Sequence, residues 1–183
     1  MKIELTNIKI NEKLKILLLT FSIPILNYIS ANLKIYLPFT PVPITFQTFV
    51  VFLTSALFES KIATTGQILY LLFGILGLPI FANAKTGLDA LFHPTAGYIF
   101  GFIVSSLFVS QSFKRLKIFK TFKIFLIFLI GNIIIYTCGV IRLSFIFGIK
   151  KSILIGVLPF IYGDLIKIIF ATLLIKKLRN LKW

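Results

Sequence analysis

The sequence has little cysteine and little histidine. One cysteine among 183 residues, Cys138, excludes an intrachain disulfide. The single histidine, His93, has no second His or Cys at ligand spacing, so we expect it to be a loop residue. A disulfide scaffold is therefore excluded, and no metal site is predicted.

Acidic residues are also scarce. Five Asp and Glu residues stand against 20 Lys and Arg residues, which gives a formal net charge of +15. Clustered cations of this kind can neutralise nucleic-acid phosphates. Here, however, the basic residues lie between and beyond long apolar stretches, as in cytoplasmic loops that face anionic lipid headgroups. We therefore expect no nucleic-acid partner.

Nucleotide-binding and hydrolase motifs are absent. The sequence has no Gly-x-x-x-x-Gly-Lys-Ser/Thr segment, which would cradle phosphates. It also has no Gly-x-Ser-x-Gly and no His-Glu-x-x-His motif. We expect a chain that is not an enzyme, needs no cofactor and contains no nucleotide-driven motor.

Apolar residues dominate what is present. Hydrophobic residues make up 58% of the chain, more than a globular surface tolerates. Apolar stretches recur from Leu14 to Ile175, and about 20 apolar residues suffice to cross a bilayer. The sequence predicts an all-α integral membrane protein in which residues 1–183 form a single membrane-embedded domain.

Polar, proline and glycine breaks divide these stretches into six predicted transmembrane helices. They cover residues 14–31, 44–58, 62–76, 95–111, 124–141 and 152–175. The first could instead be the core of a signal peptide, but Pro24, Asn27 and the lack of a convincing small-x-small cleavage site favour a retained helix. Gly97 and Gly101 have the small-xxx-small spacing that lets two helices pack closely.

The basic residues also orient the predicted bundle. With both termini in the cytoplasm, 14 of the 20 Lys and Arg residues lie inside, 5 lie outside and Lys167 lies within the last span. Because cytoplasmic loops carry an excess of Lys and Arg, the sequence predicts that both termini are cytoplasmic.

An acid and a base interrupt the last predicted span. Asp164 and Lys167 are three residues apart and therefore share one helix face. A charge near the bilayer centre costs about 2.5–3.5 kcal/mol on insertion scales, and such residues usually mark a site. The pair offers a fixed acceptor beside a fixed donor. A structural ion pair or a snorkelling lysine is the alternative.

Two loop features accompany this pair. Asn83 offers an amide donor and acceptor that suit a neutral polar ligand group, although it could be an ordinary loop asparagine. Between the first two spans, Pro38, Pro41 and Pro43 forbid a helix and favour a stiff, extended segment.

Several segments in consistent order carry a family resemblance. They are Pro38-Phe39-Thr40-Pro41-Val42-Pro43-Ile44-Thr45-Phe46-Gln47-Thr48, Leu69–Ala82 with Pro94–Phe102, and Gly131-Asn132 with Gly156–Lys167. Together they cover about Leu37 to Ala171 and resemble the BioY family, the biotin-specific S components of energy-coupling factor transporters.

The resemblance implies a six-helix bundle in the bacterial cell membrane that captures biotin from outside. It assigns ligand contacts to Asp164, Lys167 and Asn83, with Tyr98 as a further substrate-binding residue. It also implies that the proline-rich loop acts as a lid. The lid residues are Phe39, Thr40, Pro41, Val42, Pro43, Thr45 and Gln47.

The resemblance also implies partner subunits. A transmembrane coupling (T) subunit and two ABC-type ATPase subunits would supply the motor that this chain lacks. Several family members use an Ala-x-x-x-Ala pattern in the first helix for docking, and Thr20–Ala31 lacks it. The resemblance therefore does not assign a docking surface for the coupling subunit.

Two other functions remain as alternatives. One is a small intramembrane enzyme or assembly factor that uses Asp164 to handle protons; turnover of a lipid or peptide without ATPase partners would favour it. The other is an S component for a different vitamin, such as riboflavin or thiamine, which a thermal-shift panel would identify.

Overall fold

Helices form most of the structure. The computed structural model describes residues 11–82, 86–116, 118 and 120–180. Within these ranges the elements are α1 (Glu12–Asn32), β1 (Lys34–Ile35), β2 (Ile44–Thr45), α2 (Gln47–Leu57), α3 (Ser60–Ile75), α4 (Asp89–Phe92), α5 (Ala96–Arg115), α6 (Thr121–Phe147), α7 (Ile149–Gly156), a 3₁₀ turn (Leu158–Phe160) and α8 (Ile161–Asn180).

Four helical stretches of the described chain are long and apolar enough to cross a membrane. They are α1, α5, α6 and the run Ile149–Arg179, which joins α7 to α8. The spans predicted at 44–58 and 62–76 correspond to α2, of 11 residues, and α3, of 16 residues. At 1.5 Å per residue both are shorter than the roughly 30 Å hydrocarbon core. Both pack against long helices, α2 against α5 and α8, and α3 against α1 and α5.

The segment between α1 and α2 contains a short antiparallel strand pair. Lys34 pairs with Thr45, and Ile35 pairs with Ile44. The predicted second span began at Ile44, which is wrong, because Ile44 and Thr45 form a strand and the helix begins at Gln47. The prolines of this segment cannot continue a helix. The chain therefore turns back, and its flanking residues pair through their backbone.

The last predicted span, 152–175, is wrong as a continuous helix. Helix α7 ends at Gly156, and a single 3₁₀ turn leads into α8 at Ile161. Pro159 lies in that turn, where it has no N–H to donate and its ring would clash with the preceding helical turn. As a result, Asp164 lies in the first turn of α8, where the helix dipole favours a carboxylate.

Helices α5 and α6 approach closely through glycines, as the Gly97 and Gly101 spacing predicted. A Cβ atom on Gly101 would lie 2.8 Å from the Cα of Ile135. A Cβ on Gly97 would collide with the carbonyl oxygen of Cys138. The predicted close approach is confirmed, and it brings side chains from both helices to one cavity.

Helix α1 is fixed to α3 by a buried polar contact. The Asn27 Nδ2 donates to the Gln67 Oε1 at 3.0 Å, and both side chains are fully buried. A Cβ on Gly66 would collide with the Ile23 side chain, so the two helices also touch closely here. The predicted first span is thus a helix packed into the bundle.

A glycine turn ends α3 and sends the chain back towards the same cavity. Gly77 has φ +102°, a left-handed conformation that favours glycine, and the Leu78 N–H donates to the Phe73 carbonyl at 3.0 Å. The predicted helix end is confirmed. The returning segment places the Phe81 ring against Gly74, where a side chain would not fit.

Candidate functional site

Asp164 and Lys167 form a buried ion pair on α8. The Lys167 Nζ lies 2.7 Å from the Asp164 Oδ1, as expected for residues on one helix face. The exposed fractions are 4% for Asp164 and 9% for Lys167. The ammonium group also donates to the Thr45 carbonyl at 2.7 Å. The lysine therefore points into the protein and does not snorkel outward.

Three side chains of the described residues donate to the Asp164 carboxylate. The Lys167 Nζ and the Thr48 hydroxyl, at 3.1 Å, both donate to Oδ1. The Tyr136 hydroxyl donates to Oδ2 at 2.6 Å. An ionised carboxylate offers about four acceptor positions. Among the described residues no fourth donor occupies the last of these, so one position remains for an N–H group of a ligand.

The three N–H donors of Lys167 are unequally engaged. Two make short contacts, to Asp164 Oδ1 and to the Thr45 carbonyl, whereas the third lies 3.4 Å from the Thr48 hydroxyl. That contact is at the edge of hydrogen-bond geometry. A ligand acceptor would displace the Thr48 contact first, because it is the weakest of the three.

These polar groups lie on the wall of a cavity of about 60 Å³. The lining comes from the proline-rich loop, the segment after α3 and the helical elements of the bundle. Its residues are Val42, Pro43, Thr45, Gln47, Thr48, Tyr70, Phe81, Ala82, Thr95, Tyr98, Ile99, Phe102, Ile135, Tyr136, Phe160, Asp164 and Lys167. A mostly apolar and aromatic wall with a few fixed polar groups is typical of small-molecule sites.

Tyr98 contributes its ring to this wall. The Tyr98 hydroxyl donates to the Gly156 carbonyl at 2.7 Å, and its ring lies against Gly139, where a Cβ would not fit. The residue is therefore held between α6 and α7. Because its proton is given to the backbone, Tyr98 can offer a ligand its ring face or a hydroxyl lone pair.

A relay of hydrogen bonds orients Gln47. Its Oε1 accepts from the Thr45 hydroxyl at 3.2 Å, and its Nε2 donates to the Tyr70 hydroxyl at 2.8 Å. Tyr70 in turn donates to the Ile80 carbonyl at 3.1 Å. The relay connects the start of α2 to α3 and to the segment after α3.

The predicted lid residues separate into two groups. One group, Val42, Pro43, Thr45 and Gln47, lines the cavity. Thr40 lies farther out, where its hydroxyl donates to the Ile155 carbonyl of α7 at 2.7 Å. The remaining two residues, Phe39 and Pro41, do not line the cavity, and Phe39 is 60% exposed.

The other side of the proline-rich segment is anchored to the chain after α3. The Lys34 Nζ and the Tyr36 hydroxyl both donate to the Ala82 carbonyl, at 2.6 Å and 3.1 Å. Ala82 itself lines the cavity. The segment therefore bridges α7 on one side and this loop on the other.

Two of the side chains that donate hydrogen bonds to the Asp164 carboxylate, Thr48 and Tyr136, were not predicted from the sequence. Thr48 is the last residue of the proline-rich segment quoted for the family resemblance, so it was within reach of that comparison. Tyr136 has only a weak signal, a hydroxyl inside an apolar span. Asn83, a predicted ligand contact, lies outside the described residues.

A family model described as the BioY family matches residues 4–182. The chain belongs to the BioY family. Among curated relatives, a Thermotoga maritima protein named biotin transporter BioY is 38% identical over 81% of this chain and 87% of its own. A Pyrococcus horikoshii protein named probable biotin transporter BioY is 29% identical over 82% of this chain and 89% of its own.

A solved structure resembles this BioY-family chain along almost its whole length. It is a crystal structure of the S-component for biotin from an ECF-type ABC transporter, with a TM-score of 0.83, 28% identity and 93% of each chain covered. Together with the four long apolar helices, these relatives indicate a multi-pass membrane protein.

Proposed function

We propose that this chain is the biotin-binding S component of an energy-coupling factor transporter in the bacterial cell membrane. It captures extracellular biotin, which partner subunits then import with ATP. The observation that carries the proposal is the Asp164 carboxylate, held by three donors at the wall of an apolar cavity and left with one acceptor position. The names of the relatives and of the matching structure support biotin as the ligand.

The site chemistry suits the ureido ring of biotin. That ring has two N–H donors and one carbonyl acceptor, so Asp164 accepts one N–H and Lys167 or Asn83 donates to the carbonyl. The apolar wall, which includes Phe102 and Phe160, packs against the thiophane ring. A ligand that leaves such buried polar groups unpaired loses about 1–3 kcal/mol for each one, which provides selectivity.

A panel of vitamins tests this assignment. Purified protein in mild detergent is expected to gain thermal stability with biotin, because a ligand that binds only the folded state stabilises it. Riboflavin and thiamine serve as controls and are expected to have no effect. A shift with either of them and none with biotin would identify an S component for another vitamin, and turnover of a lipid or peptide without ATPase partners would indicate an enzyme.

The proline-rich segment acts as a lid in this proposal. On the scale in which one water needs about 10–15 Å³, a cavity of about 60 Å³ holds only a few water-sized groups. Because Val42 and Pro43 of the segment line this cavity, we infer that the segment moves outward when biotin enters. The hydrogen bond from Thr40 to Ile155 then restrains the lid.

Thr40→Val tests the lid, because it removes this hydroxyl at nearly constant size. The substitution removes the hydrogen bond to Ile155 and a second one within the segment, which the Val42 N–H donates to the same hydroxyl at 3.1 Å. Losing the contact to α7, about 1 kcal/mol, is expected to raise the biotin dissociation rate about fivefold. Thr137→Val is the matched control, since its exposed hydroxyl donates only to Ile133 within α6. Dissociation rates measured with radiolabelled biotin that are equal in the two variants would contradict the lid role.

The proposal includes six membrane crossings with both termini in the cytoplasm, supported by the 14 to 5 distribution of Lys and Arg. Single cysteines at Ser60 and Lys150, in a Cys138→Ser background, test this orientation. An impermeant thiol reagent applied to intact cells is expected to label position 150 and not position 60. The reverse pattern would place the termini outside.

We also propose a coupling (T) subunit and two ABC-type ATPase subunits as partners, with no cofactor and no catalysis by this chain. The absence of a phosphate-binding motif supports an external source of ATP hydrolysis. A pull-down in mild detergent is expected to recover ATPase subunits with the chain, and recovery of the chain alone with full uptake activity would contradict this assembly.

A further inference from the structure

The last turns of three helices surround a second cavity, of about 720 Å³. Helices α2, α5 and α8 begin at the candidate biotin site, where they contribute Thr48, Tyr98 and Asp164. Their C-terminal ends contribute Leu57, Lys114 and Arg179 to the second cavity. The two cavities therefore lie at opposite ends of these helices.

The second cavity is predominantly cationic. Lys61, Lys114 and Arg179 line it, against a single carboxylate from Glu59. Neither Lys61 nor Lys114 forms an ion pair with any residue of the described chain. The cavity thus carries cationic groups that attract an anion.

Packing holds the shape of this cavity. The Arg179 guanidinium donates to the Ala56 carbonyl at 2.9 Å and lies over the Phe113 ring, with 5.7 Å from its Cζ to the ring centroid. These contacts connect the end of α8 to the ends of α2 and α5. The ends of the three helices therefore hold the cations in place beside an apolar wall that includes Leu57 and Leu116.

We propose that this cavity binds the phosphate-bearing headgroup of an anionic phospholipid. Its position supports a lipid, because α5 and α8 belong to membrane-length stretches that end here. At such ends, basic pockets between helices meet lipid headgroups. The apolar wall supports a lipid as well, since a soluble phosphate would use only the cations, whereas a phospholipid places its glycerol and acyl chains against Leu57 and Leu116.

Lipid titrations of the delipidated, full-length protein, followed by native mass spectrometry, test the proposal. Each basic residue near a membrane surface contributes about 1 kcal/mol to anionic lipid binding, so Lys61→Gln/Lys114→Gln is expected to weaken phosphatidylglycerol binding about 25-fold. Lys150→Gln/Lys151→Gln, which removes the same charge from exposed positions on α7, is the matched control and is expected to bind like the wild type. Phosphatidylcholine binding is expected to be the same in all three proteins.

Two further measurements separate this role from folding and from other anions. Lys61→Arg/Lys114→Arg keeps both charges and is expected to retain phosphatidylglycerol binding within about twofold, so a large loss in that variant would overturn the proposal. Equal phosphatidylglycerol affinity in the Gln variant and the control would also overturn it. Competition by glycerol 3-phosphate at the same concentration as the lipid would indicate a soluble phosphate ligand and overturn the lipid assignment.

Discussion

Asp164→Asn is expected to weaken biotin binding about 100-fold. The substitution keeps the size of the side chain but removes the charge that strengthens its hydrogen bonds, including the one proposed to the ligand N–H. It also leaves the Lys167 ammonium buried without a counter-ion, and breaking a buried ion pair costs about 3–5 kcal/mol. A loss of about 2.8 kcal/mol in binding corresponds to the expected 100-fold change. Equilibrium binding of radiolabelled biotin measures it.

The double variant Asp164→Asn/Lys167→Gln separates the ligand contact from the structural ion pair. The double variant leaves no unpaired charge buried, so the melting temperature is expected to recover towards that of the wild type. Biotin affinity is expected to stay low, because the charged acceptor and the Lys167 donor are both absent. If affinity recovered together with stability, Asp164 would act only through the fold, and the direct contact would be refuted.

Two further variants test which chemical groups biotin binding requires. Asp89→Asn makes the same change at an exposed acid outside the cavity and is expected to leave binding unchanged. Tyr136→Phe removes the 2.6 Å donor to Asp164 Oδ2 and is expected to weaken binding about 10-fold, or about 1.4 kcal/mol. Tyr162→Phe is its matched control, since Tyr162 is 81% exposed.

The sequence predicted the charged residues of this site but not the hydroxyl groups that donate hydrogen bonds to Asp164. An acid and a base within an apolar run are conspicuous in the sequence alone, and their spacing specifies a shared helix face. Thr48 and Tyr136, by contrast, lie 116 and 28 residues from Asp164 along the chain. They are common residue types, and which of them faces the carboxylate depends on how the helices pack. That packing is a long-range property, which spacing along one helix does not encode.

The same distinction applies to the fold. Apolar length predicted α1, α5 and α6, because hydropathy reports directly whether a helix can lie in lipid. It failed at the strand pair before α2 and at the break before α8, because hydropathy does not register lost backbone hydrogen bonds. Pro159 did indicate the break in the sequence, because proline has no N–H to donate. The break matters for the site, since it begins a new helix three residues before Asp164.

The structure also connects the ion pair to the proposed lid. The Lys167 Nζ donates to the Thr45 carbonyl on β2, so the polar group that would contact the ligand also holds the end of the proline-rich segment. Movement of that segment and rearrangement of the lysine donors are therefore coupled. Sequence reasoning treated the two features separately, because 122 residues lie between the two partners.

Gly101→Ala is expected to destabilise the protein by about 3 kcal/mol and to lower the melting temperature by about 8 °C. A Cβ at this position would lie 2.8 Å from the Cα and 3.1 Å from the carbonyl oxygen of Ile135. Both atoms belong to the backbone of α6, so no side-chain rotation can relieve the contact. The helices must separate, which moves Tyr98 and Phe102 away from Tyr136 across the cavity.

Gly163→Ala provides a matched control, because it makes the same change in α8 directly beside Asp164. A Cβ on Gly163 would meet no heavy atom within 4 Å, and alanine favours a helix over glycine by about 1 kcal/mol. Its melting temperature is expected to equal or exceed that of the wild type, with biotin affinity retained. Biotin affinity and melting temperature are measured for both variants in the same detergent. If Gly101→Ala matched Gly163→Ala in both measurements, close packing of α5 on α6 would not shape the site, and the cavity would depend on the other helices instead.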